Sequence, residues 1–144
     1  MEGQKIPISI EVDGQQLADF DQILMNRWKR ASNLRKPLQQ VADYMLGEID
    51  RNFDKRGTVF GEKWERRKRT YRHPILNKTG TMKGNFISKV GATRAVIKNK
   101  TPYFKFHQLG TSKMSARKMW GMTETHSRNI IQSIQEYLVG ENNR

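Results

Sequence analysis

The sequence predicts an α+β fold: a small, mainly antiparallel sheet with two N-terminal helices, one C-terminal helix and a long basic loop in the middle. Three stretches carry apolar residues at steps of three and four, which is the period of an amphipathic helix. Two short stretches rich in Phe, Ile and Val flank a glycine-containing turn, which is typical of a β-hairpin. The chain has 144 residues, the size of one domain, so we expect residues 1–144 to form a single domain.

The N-terminal part begins with a predicted strand and continues with a predicted helix. Apolar residues alternate with other residues from Ile6 to Val12, as in a half-buried strand, and Pro7 places this strand at a sheet edge or at its own start. The helix that follows has an apolar stripe made of Leu17, Phe20, Leu24, Trp28 and Ala31. We expect Ser32 and Asn33 to interrupt it.

A second helix is predicted to begin near Pro37, because proline is tolerated in the first turn of a helix. Its apolar stripe consists of Leu38, Val41, Met45, Ile49 and Phe53. Stripes of this kind usually face the core. We therefore expect both N-terminal stripes to be buried against a sheet or against each other, and not to form a functional surface.

Residues 55–84 are predicted to form a long irregular segment. It is interrupted by Gly57, Gly61, Pro74, Gly80 and Gly84. Loops longer than ~12–15 residues in compact domains are usually functional or disordered. We therefore expect a flexible basic loop at about 55–84, which becomes ordered when a partner docks.

The C-terminal part is predicted to contain a hairpin and a final helix. The hairpin strands are Asn85–Val90 and Arg94–Lys98, while residues 103–109 fit either a third strand or a short helix. Residues 110–118 are polar and are expected to be flexible. The last helix begins near Thr123 and ends at Gly140, with an apolar face made of Ile130, Ile131, Ile134 and Leu138.

The positive charge is concentrated in the middle of the chain. The net charge is +13, and residues 55–118 hold 18 of the 27 basic residues but only 2 of the 14 acidic residues. A field of one sign attracts nucleic acid or an acidic protein surface, although a solvated basic face without a partner is the simpler alternative. The predicted contact residues are Lys63, Arg66, Arg67, Lys68, Arg69 and Arg72.

Two aromatic residues, Trp64 and Tyr71, lie within this basic stretch, where each could stack on a partner or bury area. A lone tryptophan among charged residues rarely stays exposed. We therefore expect Trp64 to anchor the loop to the core, with an interface hot spot as the alternative.

The sequence contains no recognisable catalytic or cofactor-binding arrangement. It has no cysteine, its three histidines are widely separated, and it lacks a complete phosphate-binding loop. Glu62 and Glu65 are the acidic residues of the basic segment, and their neighbours oppose the raised pKa that a catalytic acid needs. No apolar run has the length of a membrane span. We expect a protein that is not an enzyme, has no cofactor and has no membrane partner.

Several short motifs occur in an order that resembles the phage virion morphogenesis family, which includes tail-completion proteins. None is specific alone, but their order and spacing together are. The similarity covers roughly the second helix to the C-terminus. The motifs are Ile49-Asp50-Arg51-Asn52-Phe53, Gly61-Glu62-Lys63-Trp64, Leu76 followed by Thr79-Gly80-Thr81-Met82, Tyr103 followed by His107-Gln108-Leu109-Gly110, and Ala116-Arg117 followed by Met119-Trp120-Gly121-Met122.

The resemblance implies a structural protein of the bacteriophage virion that acts late in assembly, at the tail or at the neck (the head–tail connector). It singles out Trp64, Gly80, Tyr103, His107, Gly110 and Arg117 as motif residues. The implied partners are other tail or neck proteins, with non-specific DNA contact open. We expect a homo-oligomeric ring in the virion, assembled in the host cytoplasm from a chain that can be monomeric when isolated. The alternative is a non-specific nucleic-acid-binding protein of another kind.

Overall fold

A computed structural model of the chain describes residues 14–140, and these residues form five helices and one two-stranded antiparallel sheet. In chain order the elements are α1 (Gly14–Ser32), α2 (Arg35–Asp54), α3 (Thr81–Gly84), β1 (Phe86–Val90), β2 (Ala95–Asn99), α4 (Phe104–Leu109) and α5 (Glu124–Val139). The α+β class and the helices at both ends are as predicted. The strand predicted between Ile6 and Val12 lies outside the described residues.

Helix α2 is the centre of the core. Its stripe residues Met45, Ile49 and Phe53 are buried, as the periodicity predicts, and Pro37 lies in the first turn. They pack with four buried residues from the rest of the chain, which are Phe60, Trp64, Met82 and Met119. Helix α2 thus contacts the hairpin, the connection from α2 to α3 and the connection from α4 to α5. The core therefore depends on residues that are far apart in sequence.

The hairpin and its neighbours follow the prediction with small shifts. The register runs from Phe86 opposite Asn99 to Val90 opposite Ala95, so each strand begins one residue after its predicted start. Residues 103–109, for which the sequence allowed either a third strand or a short helix, contain the short helix α4. Helix α3 was not predicted, because a single turn is too short to show a helical period.

Helix α5 begins with a capping box. The His126 amide donates to Thr123 Oγ1, and the Thr123 amide donates to His126 Nδ1. Because Nδ1 is an acceptor there, the ring proton is on Nε2, which donates to Glu48 Oε2 over 2.8 Å. Gly140 ends the helix at φ +92°, in the left-handed region that favours glycine. A histidine without a predicted role thus connects α5 to α2.

The prediction that the α1 stripe belongs to the core is wrong for the part that the structure describes. Leu24 and Trp28 are 47% and 67% exposed, and every side chain from Asp21 to Lys29 is exposed. The helix contacts α5 near its C-terminal end, where Arg30 Nη1 donates to the Leu138 carbonyl. The amphipathic period therefore predicted the helix correctly, but the described apolar side chains of α1 do not pack against the core.

The long connection after α2 is attached to the core by two buried polar side chains. Asn52, fully buried, accepts from the Val59 amide and donates through Nδ2 to the Lys118 carbonyl over 3.1 Å. Trp64 Nε1 donates to the same carbonyl over 2.9 Å. The indole ring is 5% exposed and meets the Phe53 ring edge to face, with centroids 5.4 Å apart. Trp64 is therefore buried, as the anchor interpretation requires.

Gly57 allows the indole to approach the backbone. Its φ is +99°, and a Cβ at this position would lie 2.4 Å from Trp64 Cδ1. The segment 55–64 is therefore a compact turn fixed by Trp64. From Glu65 to Gly80 a single backbone amide, that of Asn77, donates to a backbone carbonyl in the described structure. The predicted loop thus consists of a tightly bonded first third, an irregular second part and the turn of α3.

We predict that Trp64→Ala lowers the free energy of unfolding by about 3–5 kcal/mol, because it removes a large buried ring and leaves a cavity. Trp64→Phe should recover part of this loss but not the bond to the Lys118 carbonyl, worth ~1 kcal/mol. The control is Leu109→Ala, since Leu109 is 77% exposed. Urea unfolding followed by circular dichroism measures all three. Equal stability of Trp64→Ala and Leu109→Ala would contradict the anchor role.

We predict a pH-dependent effect for Glu48→Gln. The hydrogen bond from Arg51, and then that from His126, lowers the pKa of the Glu48 carboxyl despite its partial burial. A lowered pKa stabilises the fold above the unfolded-state value near 4.5 and loses this effect as the pH falls through the folded-state value. The substitution should therefore destabilise the protein at pH 7 and matter little at strongly acidic pH.

Urea unfolding at several pH values tests this prediction. Glu124→Gln is the matched control, because Glu124 forms a largely exposed pair with Arg128 on the surface of α5. A destabilisation by Glu48→Gln that is the same at pH 7 and at acidic pH would rule out the linkage.

We predict that hydrogen exchange of the free protein divides residues 55–84 into two parts. The amides of Gly57, Val59, Phe60 and Trp64 are hydrogen-bonded and should exchange slowly, whereas those from Glu65 to Gly80 should exchange fast apart from Asn77. Residues 38–53 and 128–138 serve as the protected reference. Uniform protection across 55–84 would show that the loop is not flexible.

Candidate functional site

Two irregular segments come together to form a groove on the surface. One contains residues 65–71 and the other residues 111–117. The Arg117 guanidinium connects them, because its Nε and Nη2 donate to the Glu65 carbonyl over 3.1 and 3.0 Å. The Arg117 amide donates to the His107 carbonyl over 2.7 Å, which attaches the second segment to α4.

Gly110 sets the direction of the second segment. Its φ is +76°, and a Cβ there would lie 2.8 Å from the Ala116 amide nitrogen. The chain then closes a short turn in which Thr111 and Met114 form a β-bridge. Any other residue at position 110 would collide with backbone, so this motif glycine has a steric role.

The groove is strongly basic. Its volume is about 620 Å³, and six cationic side chains line it together with one carboxylate, Glu65. In the described part of the chain none of the six is in an ion pair. The cations are Arg66, Arg67, Lys68, Arg69, Lys113 and Arg117. Because no ion pair within the described residues neutralises these charges, the groove carries a positive field.

The structure brings together four of the six residues predicted to contact a polyanion. Arg66, Arg67, Lys68 and Arg69 line the groove, whereas Lys63 and Arg72 do not. Lys113 was missed by the sequence analysis, although it was visible as a cation in the predicted flexible stretch 110–118. Only the fold places this second segment beside the first.

Arg67 differs from its neighbours because its guanidinium is used within the fold. Its Nη2 donates to the His73 carbonyl over 2.9 Å, and Nη1 lies 3.3 Å from His73 Nδ1. The guanidinium carbon also lies 5.1 Å from the centre of the Tyr71 ring. Arg67 therefore orders the loop, while Arg66, Lys68 and Arg69 are exposed to solvent.

A second, more apolar pocket adjoins the groove and shares Arg67 and Arg117 with it. Its volume is about 380 Å³. Its apolar lining comes from Ile75, Leu76 and Met82. Four of the motif residues also line this pocket, namely Gly80, Tyr103, His107 and Arg117. Positions up to 37 residues apart in sequence thus converge on one cavity, and the other two motif residues, Trp64 and Gly110, hold the segments around it.

His107 lines the pocket and is partly buried there. Burial, and then the charge of Arg117, lowers the pKa of its imidazole below the usual value. Its Nδ1 is buried and has no hydrogen-bond partner among residues 14–140, and its ring packs against Tyr103. The sequence identified His107 as a motif residue and gave no indication of this unpaired nitrogen. The pocket therefore contains a neutral polar group beside two guanidinium groups.

Comparison with known proteins agrees with this arrangement of motifs. The model of the phage virion morphogenesis family matches residues 12–139, which extends the resemblance from α2 to the whole of α1. No curated protein and no solved structure matched the chain. Among residues 14–140 no helix is both long enough and apolar enough to span a bilayer. The match covers most of the chain and all the elements that form the groove and the pocket, so the chain belongs to the phage virion morphogenesis family.

Proposed function

We propose that the chain is a structural, non-enzymatic protein that completes the phage tail or the head–tail junction. It docks through the basic groove and the adjoining pocket onto an acidic face of a neighbouring ring protein. Family membership supports a role in virion assembly and an association with other virion proteins. The groove and the pocket support this particular mode of docking.

The observation that carries the proposal is that the basic groove and the apolar pocket share Arg67 and Arg117. A protein surface presents carboxylates and apolar side chains together, and so can occupy both cavities at once. Filling an apolar pocket supplies affinity at the centre of an interface, while surrounding charges mainly raise the association rate and orient the partner. A phosphate backbone would engage the groove but leave the pocket empty.

Direct contact with DNA is the second candidate. Tyr71 lies in the groove and is 50% exposed, so a nucleotide base could stack on it beside the cations. Binding of this kind is non-specific in sequence and strongly salt-dependent. It would suit a protein that lines a DNA channel, and it equally suits the alternative of a nucleic-acid-binding protein outside the particle.

We place the protein in the finished virion as a homo-oligomeric ring at the tail or neck, assembled in the host cytoplasm. The decisive test is electron microscopy of particles made without the gene. Tailless heads together with free tails would support a completion role. Normal particles, or the absence of both heads and tails, would contradict it.

We predict that the triple variant Arg66→Glu, Lys68→Glu and Arg69→Glu keeps its fold but enters particles poorly. Arg67 is left unchanged because its guanidinium orders the loop. The reversed charges repel an acidic partner, and exposed charges contribute little to stability. A circular dichroism melt checks the fold, and complementation of the gene deletion measures the particle yield.

The matched control reverses three exposed cations of the hairpin, Lys89, Arg94 and Lys98, and so changes the net charge equally. Its particle yield should stay close to that of the wild type. Equal losses for both triple variants would show that net charge, and not the groove, is what matters. Normal yield for both would show that the groove is a solvated basic face.

A binding titration at several salt concentrations separates the two kinds of partner. If DNA occupies the groove, the triple variant should reduce the slope of log affinity against log salt by about one for each phosphate that it no longer neutralises. If a protein occupies the groove, the wild type and the triple variant should both bind DNA weakly, while their particle yields should differ.

A further inference from the structure

Helix α1 presents a concentrated set of exposed apolar side chains. Ile23, Leu24, Met25 and Trp28 lie within six consecutive positions, and each is about half exposed or more. Leu24 and Trp28 are one turn apart on the same face, with Ile23 and Met25 on either side of it. Large apolar side chains grouped in this way on a soluble domain mark an interaction surface.

The charges of α1 are separated along its length. Asp19 and Asp21 lie in the first half of the helix, whereas Arg27, Lys29 and Arg30 lie in the second half. Two parallel copies would place like charges side by side. Two antiparallel copies would place the acidic half of each helix beside the basic half of the other, and would also oppose their helix dipoles favourably.

We propose that two copies of this chain associate through α1 as an antiparallel, two-fold symmetric helix pair centred on Leu24. In such a pair each residue of one copy lies level with a residue of the other copy, and the two residue numbers add up to 48. Asp21 is then level with Arg27, and Asp19 with Lys29. Leu24 meets its own counterpart on the symmetry axis.

The apolar positions of the sequence have the same symmetry about position 24. Ile23 is level with Met25, and these two exposed apolar side chains lie on either side of Leu24. A helix of 19 residues is about 28 Å long, so two antiparallel copies run beside each other over several turns. Charge and apolar pattern therefore select the same partner, the same direction and the same register.

This dimer is separate from the groove, because none of the residues that line the groove belongs to α1. It goes beyond the proposed function, and it describes the free protein before assembly. Disruption of the α1 pair should change the oligomeric state, whereas disruption of the groove should change particle incorporation. Failure of either proposal can therefore be recognised without reference to the other.

Sedimentation equilibrium of the full-length chain tests the dimer. The wild type should show a monomer–dimer equilibrium between micromolar and submillimolar concentrations. Leu24→Asp should be monomeric over this range, because each dimer would bury two carboxylates face to face on the axis. The control Asn26→Asp has the same charge change on the opposite side of α1 and should dimerise like the wild type.

Cysteine crosslinking tests the direction and the register, since the natural chain has no cysteine. Leu24→Cys should form an intermolecular disulfide under mild oxidation, because two copies of position 24 meet. Trp28→Cys alone should not, because its two copies would be about 12 Å apart along the helix axis, beyond the reach of a disulfide. Circular dichroism confirms that each variant keeps its helix content.

Three results would overturn the proposal. The first is a wild type that stays monomeric at all concentrations. If Leu24→Asp then also blocks particle assembly, the apolar face of α1 binds another virion protein instead of a second copy. The second is an oligomer that Leu24→Asp leaves intact. The third is a Trp28→Cys crosslink as efficient as that of Leu24→Cys, which would indicate a parallel pair.

Discussion

The carbonyl oxygen of Lys118 is the point on which the arrangement of the molecule depends. It accepts hydrogen bonds from two buried side chains, Asn52 at the end of α2 and Trp64 in the connection that follows. A buried amide or indole N–H without a partner would be destabilising, so these bonds specify where the chain must pass. They fix the segment after α4 against α2 and against the start of the basic loop.

The groove is a consequence of this attachment. With Lys118 held against Trp64, the neighbouring Arg117 is within reach of the Glu65 carbonyl, and the two basic segments lie side by side. Gln108 supports the same region from α4, since its Oε1 accepts from the amides of Met119 and Trp120. A neutral, partly buried hydrogen-bond network thus holds in place a surface whose charges repel one another.

The apolar residues of the chain have two different uses. Met45, Ile49 and Phe53 are buried with residues from the loop and the hairpin, and they stabilise the domain. The equally apolar Leu24 and Trp28 remain outside this core. Under the two proposals, an intermolecular contact covers the exposed apolar side chains of α1, and a virion partner neutralises the charges of the groove.

The sequence by itself determined the features that depend on local patterns. The period of three and four predicted α2 and α5, Thr123 and Gly140 marked the ends of α5, and the basic stretch from Lys63 to Arg72 was evident from composition. The order of motifs indicated the family. Each of these signals is carried by residues close together in the chain or by their order, so no knowledge of contacts was needed.

Only the tertiary structure decided which residues meet. Helix α3 is too short to have a period, and the burial of Asn52 depends on a carbonyl 66 residues further along the chain. Lys113 joins the groove, and Lys63 is outside it, because of the path fixed by Lys118 and Gly110. An amphipathic stripe indicates that a helix has an apolar face, but it does not indicate which residues cover that face. For this physical reason the sequence assigned α1 to the core, and the fold left it exposed.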